Sequence, residues 1–429
     1  MFKIIIFIIL TSALFFRGAF KVPPQLPEQT LLTTGIISSI PEYQQHALQF
    51  VFIPDHTSQK IFLRWYYPPP AQLHIGDQWM LNISIKPAWQ HWLLTQHMNA
   101  IGTVKFNYNN QLLLNNQAKI LDYPLQKIRE SIYTHLKETL HNKTGLGFIS
   151  ALTIGMRDQI TQAQWDDLRG TGTNHLMAIA GLHIGFVFGF IFFLSNKLWR
   201  FSEKFMLWVP AQEAGLFIGL SGALLYAALS GFAIPAKRAA IMLSIFVLTQ
   251  LSRRHINIFF SYFMAIMGVI IIDPLSIFTP TFWLSFIAVF LLIYGLAGRT
   301  GKLSFWEHWT HAQWIMAVGL IPVNLLFFEQ ISWIGFIANA IAIPFVGFVI
   351  LPLCLTGIVF HSLWTVAEFL LMHFWIIMHG LAQLPHTQHY QIISISEFFR
   401  CSVGVLLVLS PRGFPGQFLG WIWLISIFR

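Results

Sequence analysis

Two histidines in an otherwise apolar run are the first residues in this chain equipped for chemistry. His175 and His183 lie in "HLMAIAGLHIGFVFGF", together with Gly181, Gly185 and Gly189. Placed on one helix, the pair is about 80° out of register and about 12 Å apart along the axis, so the rings cannot share a metal ion. The H-E-x-x-H pattern of a helical zinc site is absent, and no carboxylate accompanies them on that stretch. Two readings stay open. The rings can hydrogen-bond between helices, or they can mark a pathway, since ionisable side chains inside a membrane tend to face cavities.

A second cluster lies in "LSGFAIPAKRAAIM". Pro235 suits the first turn of a new helix, which sets Lys237 and Arg238 at its positive end. The dipole opposes cations there, so an anion should hold them. Lipid phosphate at the bilayer boundary and a phosphodiester backbone both qualify. No set of nucleophile, base and orienting group is visible, so no catalytic residue, metal ligand or cofactor is assigned.

The elements that must position these residues are mostly membrane helices. Of 429 residues, 55% are hydrophobic and only 10% charged, against about 25% charged in soluble domains. Many apolar runs approach the roughly 20 residues that cross a bilayer. The expected fold is a polytopic α-helical membrane protein with a small N-terminal all-β domain. The net charge of +9 fits basic cytoplasmic loops as well as attraction of a polyanion. Cys354 and Cys401 lie in apolar stretches and read as small buried hydrophobes.

Residues 1–27 read as an anchor helix and a Pro-rich spacer. Residues 28–123 carry five short alternating segments, "LLTTGIISSI", "ALQFVFI", "KIFLRWYY", "QWMLNISIKP" and "GTVKFNYNN", which suggest an OB-like barrel. Residues 124–144 read as an amphipathic helix through Ile128, Ile132, Leu136 and Leu140, suited to a membrane interface or to packing on the barrel. From 145 to 429 apolar segments recur near 176–194, 214–233, 238–251, 257–272, 281–298, 312–328, 333–360, 362–382 and 401–428. Several are broken by proline, which favours a transport path over a simple anchor bundle. Gly181, Gly185 and Gly189, and the longer stripe Gly215, Gly219, Ala223, Ala227 and Gly231, read as helix-packing faces.

"ALTIGMRDQITQAQWDDLRGTGTNHLMAIAGLHIG" resembles the signature of the ComEC-type competence protein family, DNA-uptake channels of bacterial inner membranes. "LLYAALSGFAIPAKRAAIM", "DPLSIFTPTFWLSFIAVFLL" and "ISWIGFIANAIAIPFVGFVILPL" resemble later blocks of the same domain in the same order. The resemblance spans about Gly147 to Pro352. It implies passage of single-stranded DNA to the cytoplasm in natural transformation, with His175, Gly181, His183, Pro235, Lys237 and Arg238 building or lining the path.

It also implies an OB-like domain outside the cytoplasm that meets DNA. Trp65, Tyr66, Trp79, Phe106 and Tyr108 would stack on bases there, while Lys60, Arg64, Lys86 and Lys105 pair with phosphates. Implied partners are an outer DNA receptor, the lipid bilayer, a cytoplasmic ATP-driven motor or strand-binding protein, and a further copy of the chain in a homo-oligomer. The motor is implied because no P-loop occurs. Many family members continue into a metallo-β-lactamase-like nuclease domain with an H-x-H-x-D-H cluster. That cluster is absent here, and His386 and His389 lack a carboxylate partner. The expectation is a non-enzymatic channel that is either a truncated product or a member whose metal-dependent nuclease is a separate protein. Its rivals are an intramembrane hydrolase and a membrane module that only receives DNA.

Overall fold

A computed structural model describes residues 26–44, 47–55, 57, 59–88, 98–107, 110–114, 124–252, 257–296, 304–384, 388–410 and 416–426. The expected anchor helix lies outside the described residues, as do Tyr108 and His386. The chain divides into two compact units.

The first unit takes in the described residues up to Glu138, with Ala228–Gly231 and Phe263–Thr279. Its strands are β1 (Gln29–Ile37), β2 (Glu42–Gln44), β3 (Ala47–Pro54), β4 (Ile61–Trp65), β5 (Gln78–Pro87), β6 (Ala100–Val104) and β7 (Gln111–Leu114). Alternation decides their faces. Ile61, Leu63 and Trp65 of β4, and Trp79, Leu81, Ile83 and Ile85 of β5, point into one core. β1 pairs with both β3 and β5, β3 pairs with β4, β4 runs parallel to β6, and β6 pairs with β5. The ring β1-β3-β4-β6-β5 closes a five-stranded barrel of OB-like strand order, with β2 and β7 as additions. Gly102 permits the closure: a Cβ there would stand 2.5 Å from the Ser84 carbonyl.

Helix α1 (Pro124–Thr139) belongs almost wholly to this unit and buries Ile132, Tyr133 and Leu136. The His74 ring, 2.7 Å from the Glu130 carboxylate, ties it to the loop before β5. The expected span to residue 144 is shorter in fact. Asn142 caps a new helix, its side chain accepting from the Thr144 N–H at 2.9 Å.

The second unit comprises Thr139–Ala227, Phe232–Tyr262 and Pro280–Arg429. It opens with α2 (Lys143–Thr153), buried almost all round, and α3 (Gln162–Gly170), started by a Thr161–Gln164 capping box. A 3-10 turn (Asn174–Met177) follows, then α4 (Gly181–Trp199), α5 (Glu203–Trp208), α6 (Ala211–Leu229) and α7 (Ile234–Leu251). α8 (Ile258–Ile272) and α9 (Pro280–Leu296) are shorter apolar helices. α10 (Phe305–Gly319) and α11 (Ile321–Phe328) form one span bent by 41° beside Pro322. α12 (Gly335–Phe345) runs through a π-turn (Val346–Ile350) into α13 (Leu351–Thr356). α14 (Ser362–Ala382), α15 (Ile395–Val408) and α16 (Gln417–Ile425) complete the chain, with β8 (Gln330–Ser332) paired to β9 (Gln388–Tyr390).

Among the described residues, five spans are long and apolar enough to cross a membrane: α4, α6, α7, α12–α13 and α14. The bent pair makes a sixth. The protein is a polytopic helical membrane protein with an OB-like barrel.

Three expectations are corrected. The segment 401–428 is two helices, α15 and α16, whose backbones meet where Gly404 lies against Gly420. His175 and His183 do not share a helix, because Ala178 and Ala180 are extended and α4 starts only at Gly181. The 12 Å spacing therefore does not apply.

Third, the glycines of α4 do not form a packing stripe. A Cβ at Gly185 or Gly189 would meet nothing within 4 Å, and one at Gly181 meets only Ala239, at 3.6 Å. The helix contact is built the other way round. Phe188 and Phe192 of α4 lie 3.1 Å from Cβ positions at Gly219 and Gly215, and Ile191 fills the space at Gly222. Ala223 and Ala227 are fully buried in the same cluster. Gly231 leaves the stripe for a left-handed turn at φ +69° against the Arg129 guanidinium.

These contacts predict opposite outcomes for the two sets of glycines. Gly219→Leu drives a side chain into Phe188 and should cost about 1–3 kcal/mol, visible as protease sensitivity and a lower Tm in detergent. Gly189→Leu should leave both unchanged. Equal behaviour of the two variants contradicts the assigned contact.

Candidate functional site

The stretch between α3 and α4 is the irregular backbone that carries His175. α3 ends because Gly172 turns left-handed at φ +66°, a conformation that glycine adopts without strain. The Thr171 hydroxyl donates to the Asp167 carbonyl at 3.0 Å and shares a 2.8 Å hydrogen bond with Thr173. From β8, Ser332 Oγ donates to the Gly170 carbonyl at 2.7 Å. From α12, Asn339 Nδ2 reaches the Gly172 carbonyl at 3.4 Å. Asp167, on the last turns of α3, meets His379 Nδ1 of α14 at 2.7 Å.

Above this frame, Asn174 and His175 are exposed. His175 Nδ1 lies 3.1 Å from the Gly172 carbonyl, which can only accept, so Nδ1 carries the proton. His175 is solvent-accessible on this irregular turn. Desolvation by neighbouring protein holds its pKa below the ordinary 6.5, against the smaller opposing effect of the Gly172 carbonyl.

His183 is buried one turn into α4 and takes the other tautomer. The Ala180 N–H points at its Nδ1 at 3.5 Å, leaving the proton on Nε2. The first turns of α4 and α7 lie together where Gly181 meets Ala239. Ile179, Ile184, Val187, Ala236 and Ala240 pack this junction. Pro235 stands in the first turn of α7, as its sequence position suggested.

Lys237 is half-buried, and Arg238 is only 3% exposed. Arg238 therefore offers little surface to a lipid headgroup or to a DNA strand, while Lys237 is partly accessible. Lys237 and Arg238 thus follow the N-terminus of α7, close to the start of α4. Among the described residues no three His, Cys, Asp or Glu side chains group as metal ligands.

Gly172, Ser332, Asn339 and the Asp167–His379 pair are absent from the sequence-derived candidates. Asn339 carried a signal, being the one strongly polar residue in "GFIANAIAIPF". Ser332 and Gly172 gain their roles only from the fold.

On the barrel, Trp65 and Trp79 are core residues, packed edge to face at 5.7 Å. This corrects their assignment as base-stacking residues: strand alternation sends them inward with Leu63 and Leu81. Tyr66 and Phe106 are exposed, as are Lys60, Lys86 and Lys105, with Arg64 half-buried. Lys86 is paired to Glu28 at 3.0 Å. The outward residues Val51, Phe62 and Ile101 pack against Ala88 and Met98, so that patch is apolar and covered.

Residues 152–413 match the family described as Competence protein, over more than half of the chain. The chain belongs to the competence protein family. It is 28% identical over 325 residues to "Recombination protein 2" of Haemophilus influenzae, covering 70% of this chain and 39% of that protein. It is 29% identical over 275 residues to "Competence protein ComA" of Neisseria gonorrhoeae, covering 63% and 39%. With "Uncharacterized protein YcaI" of Escherichia coli it shares 27% identity over 375 residues, covering 77% and 46%. The chain thus spans less than half the length of these curated relatives. No solved structure matches it. The competence-family region contains the His175 turn, its Ser332 and Asn339 supports, and the α4–α7 contact; the barrel lies outside it.

The pinned turn makes a direct prediction. Gly172→Ala places a Cβ 3.3 Å from that of Ser332 and forces a left-handed alanine, at about 1–2 kcal/mol. The Tm in detergent should fall, and Gly172→Asn, which tolerates that conformation better, should fall less. An unchanged Tm for Gly172→Ala contradicts the turn.

Proposed function

We propose that this chain is the inner-membrane channel through which one strand of DNA enters the cytoplasm during natural transformation. The observation that carries the proposal is the competence-family match over residues 152–413, joined to an exposed His175 on an irregular turn within that region. Relatives named for competence and recombination support a role in DNA uptake.

In this proposal the strand passes the Asn174–His175 turn. Phosphates are drawn by the paired N-terminal turns of α4 and α7, with Lys237 beside them and Arg238 adding its charge through low-dielectric protein. Exposed Tyr66, Phe106, Lys60 and Lys105 give the barrel a means to meet DNA on the non-cytoplasmic side. An outer receptor delivers the DNA, a separate metal-dependent nuclease removes the complementary strand, and a cytoplasmic motor or strand-binding protein supplies direction. The chain itself acts as a conduit and not as an enzyme.

Deleting the chain from its own cells tests the proposal against a module that only receives DNA. Labelled duplex should still bind the envelope and become protected there. Labelled single strand in the cytoplasm and transformants should fall by orders of magnitude. Normal entry of label contradicts the channel, and loss of envelope binding points to the receptor role instead.

A further inference from the structure

A positively charged junction explains attraction of a polyanion, yet a strand must also leave. Fixed cations lining the whole path would hold phosphates too long for transit. His175, exposed on the turn before α4, is of a different chemical kind, and its hydrogen-bonding state follows from its contacts.

The Gly172 carbonyl is an acceptor only, so the 3.1 Å contact fixes a proton on His175 Nδ1. Asn339 Nδ2 reaches the same carbonyl, and Ser332 holds the preceding one at Gly170. The acceptor is therefore itself held in place from β8 and α12, and the ring that donates to it is oriented. His175 is exposed, so the side chain is open to a ligand. Above about pH 7 an ordinary histidine is mostly neutral, and desolvation moves this one further in that direction. A neutral ring protonated at Nδ1 has Nε2 as a hydrogen-bond acceptor. It offers no positive charge for phosphate.

Resting on the path proposed above, we infer that His175 is a base-contacting residue: it meets unpaired nucleobases with its ring face and accepts their N–H groups at Nε2. Its ligand class is the exposed base of single-stranded DNA, not the phosphodiester. Stacking tolerates every base because each has a π-face, and a single acceptor is met by the amino or imino N–H that every unpaired base presents. Phosphate attraction from the α4–α7 junction and base contact at His175 then fall on different parts of each nucleotide.

The test uses the purified full chain in lipid nanodiscs at about pH 7.5 and two probes of equal length and charge. One is oligodeoxycytidylate; the other is the same backbone without bases. Wild type should bind the first at least about five-fold more tightly, the scale of one lost base stack. His175→Ala should lose most of that preference by weakening only the base-bearing probe. His175→Phe should keep a larger part of it through its ring. His175→Lys should tighten both probes together.

Protease resistance and Tm identify any variant that fails to fold, and His175→Phe keeps the test open if His175→Ala is one. Equal binding of both probes by wild type, or an undiminished preference in His175→Ala and His175→Phe alike together with tighter binding of the base-bearing probe alone by His175→Lys, overturns the inference. Failure of the path itself reads differently: labelled strand would enter cells lacking the chain.

Discussion

Hydrocarbon offers no hydrogen bonds, so irregular backbone within an apolar helical unit must be satisfied by protein. The stretch from Gly170 to Ala180 is such a backbone, and its carbonyls are met by side chains distant in sequence. Ser332 serves Gly170, and Asn339 and His175 serve Gly172. Remove that constraint and there is no reason for a serine on β8 or an asparagine on α12. With it, the turn is held, His175 is presented, and α4 begins where its first turn can meet α7.

The same requirement is met at the other interruptions. The bend between α10 and α11 keeps a backbone bond on each side of Leu320, from its own N–H to Met316 at 3.1 Å and from Asn324 to its carbonyl at 2.9 Å. Near the end of α13, Trp364 Nε1 donates to the Cys354 carbonyl at 3.0 Å. Tyr226 of α6 donates to the Leu152 carbonyl at 2.6 Å, where α2 ends. These helix breaks are stabilised one carbonyl at a time by backbone amide, hydroxyl or indole donors.

Much of the architecture was legible in the residues. Alternation placed the five barrel strands, Pro235 marked the start of α7, and apolar length marked most spans. The parts that were not legible share a cause: they depend on which neighbour a side chain meets. A period of four put Gly185 and Gly189 on one face, but no period says that Phe188 and Phe192 fill the opposing glycines of α6 instead. An aromatic beside a basic residue looks alike inside and outside a barrel, and only strand register sends Trp65 into the core. His175 and His183 looked like one helical pair because "MAIAG" carries no strong breaker, yet tertiary contacts extend it. Of the candidate site, the histidines and the cationic turn were visible, while the frame that orients them was not.

The central claim is that incoming single strand passes the exposed turn at Asn174 and His175. The most direct measurement replaces Asn174, exposed beside His175, with a photocrosslinking amino acid in the full chain, in cells taking up labelled DNA. Phe193, exposed on the outer side of α4, serves as the control position. The account predicts a crosslink to single-stranded DNA from position 174 during uptake, and none from position 193. Crosslinks from both positions alike, or from 193 alone, would contradict it.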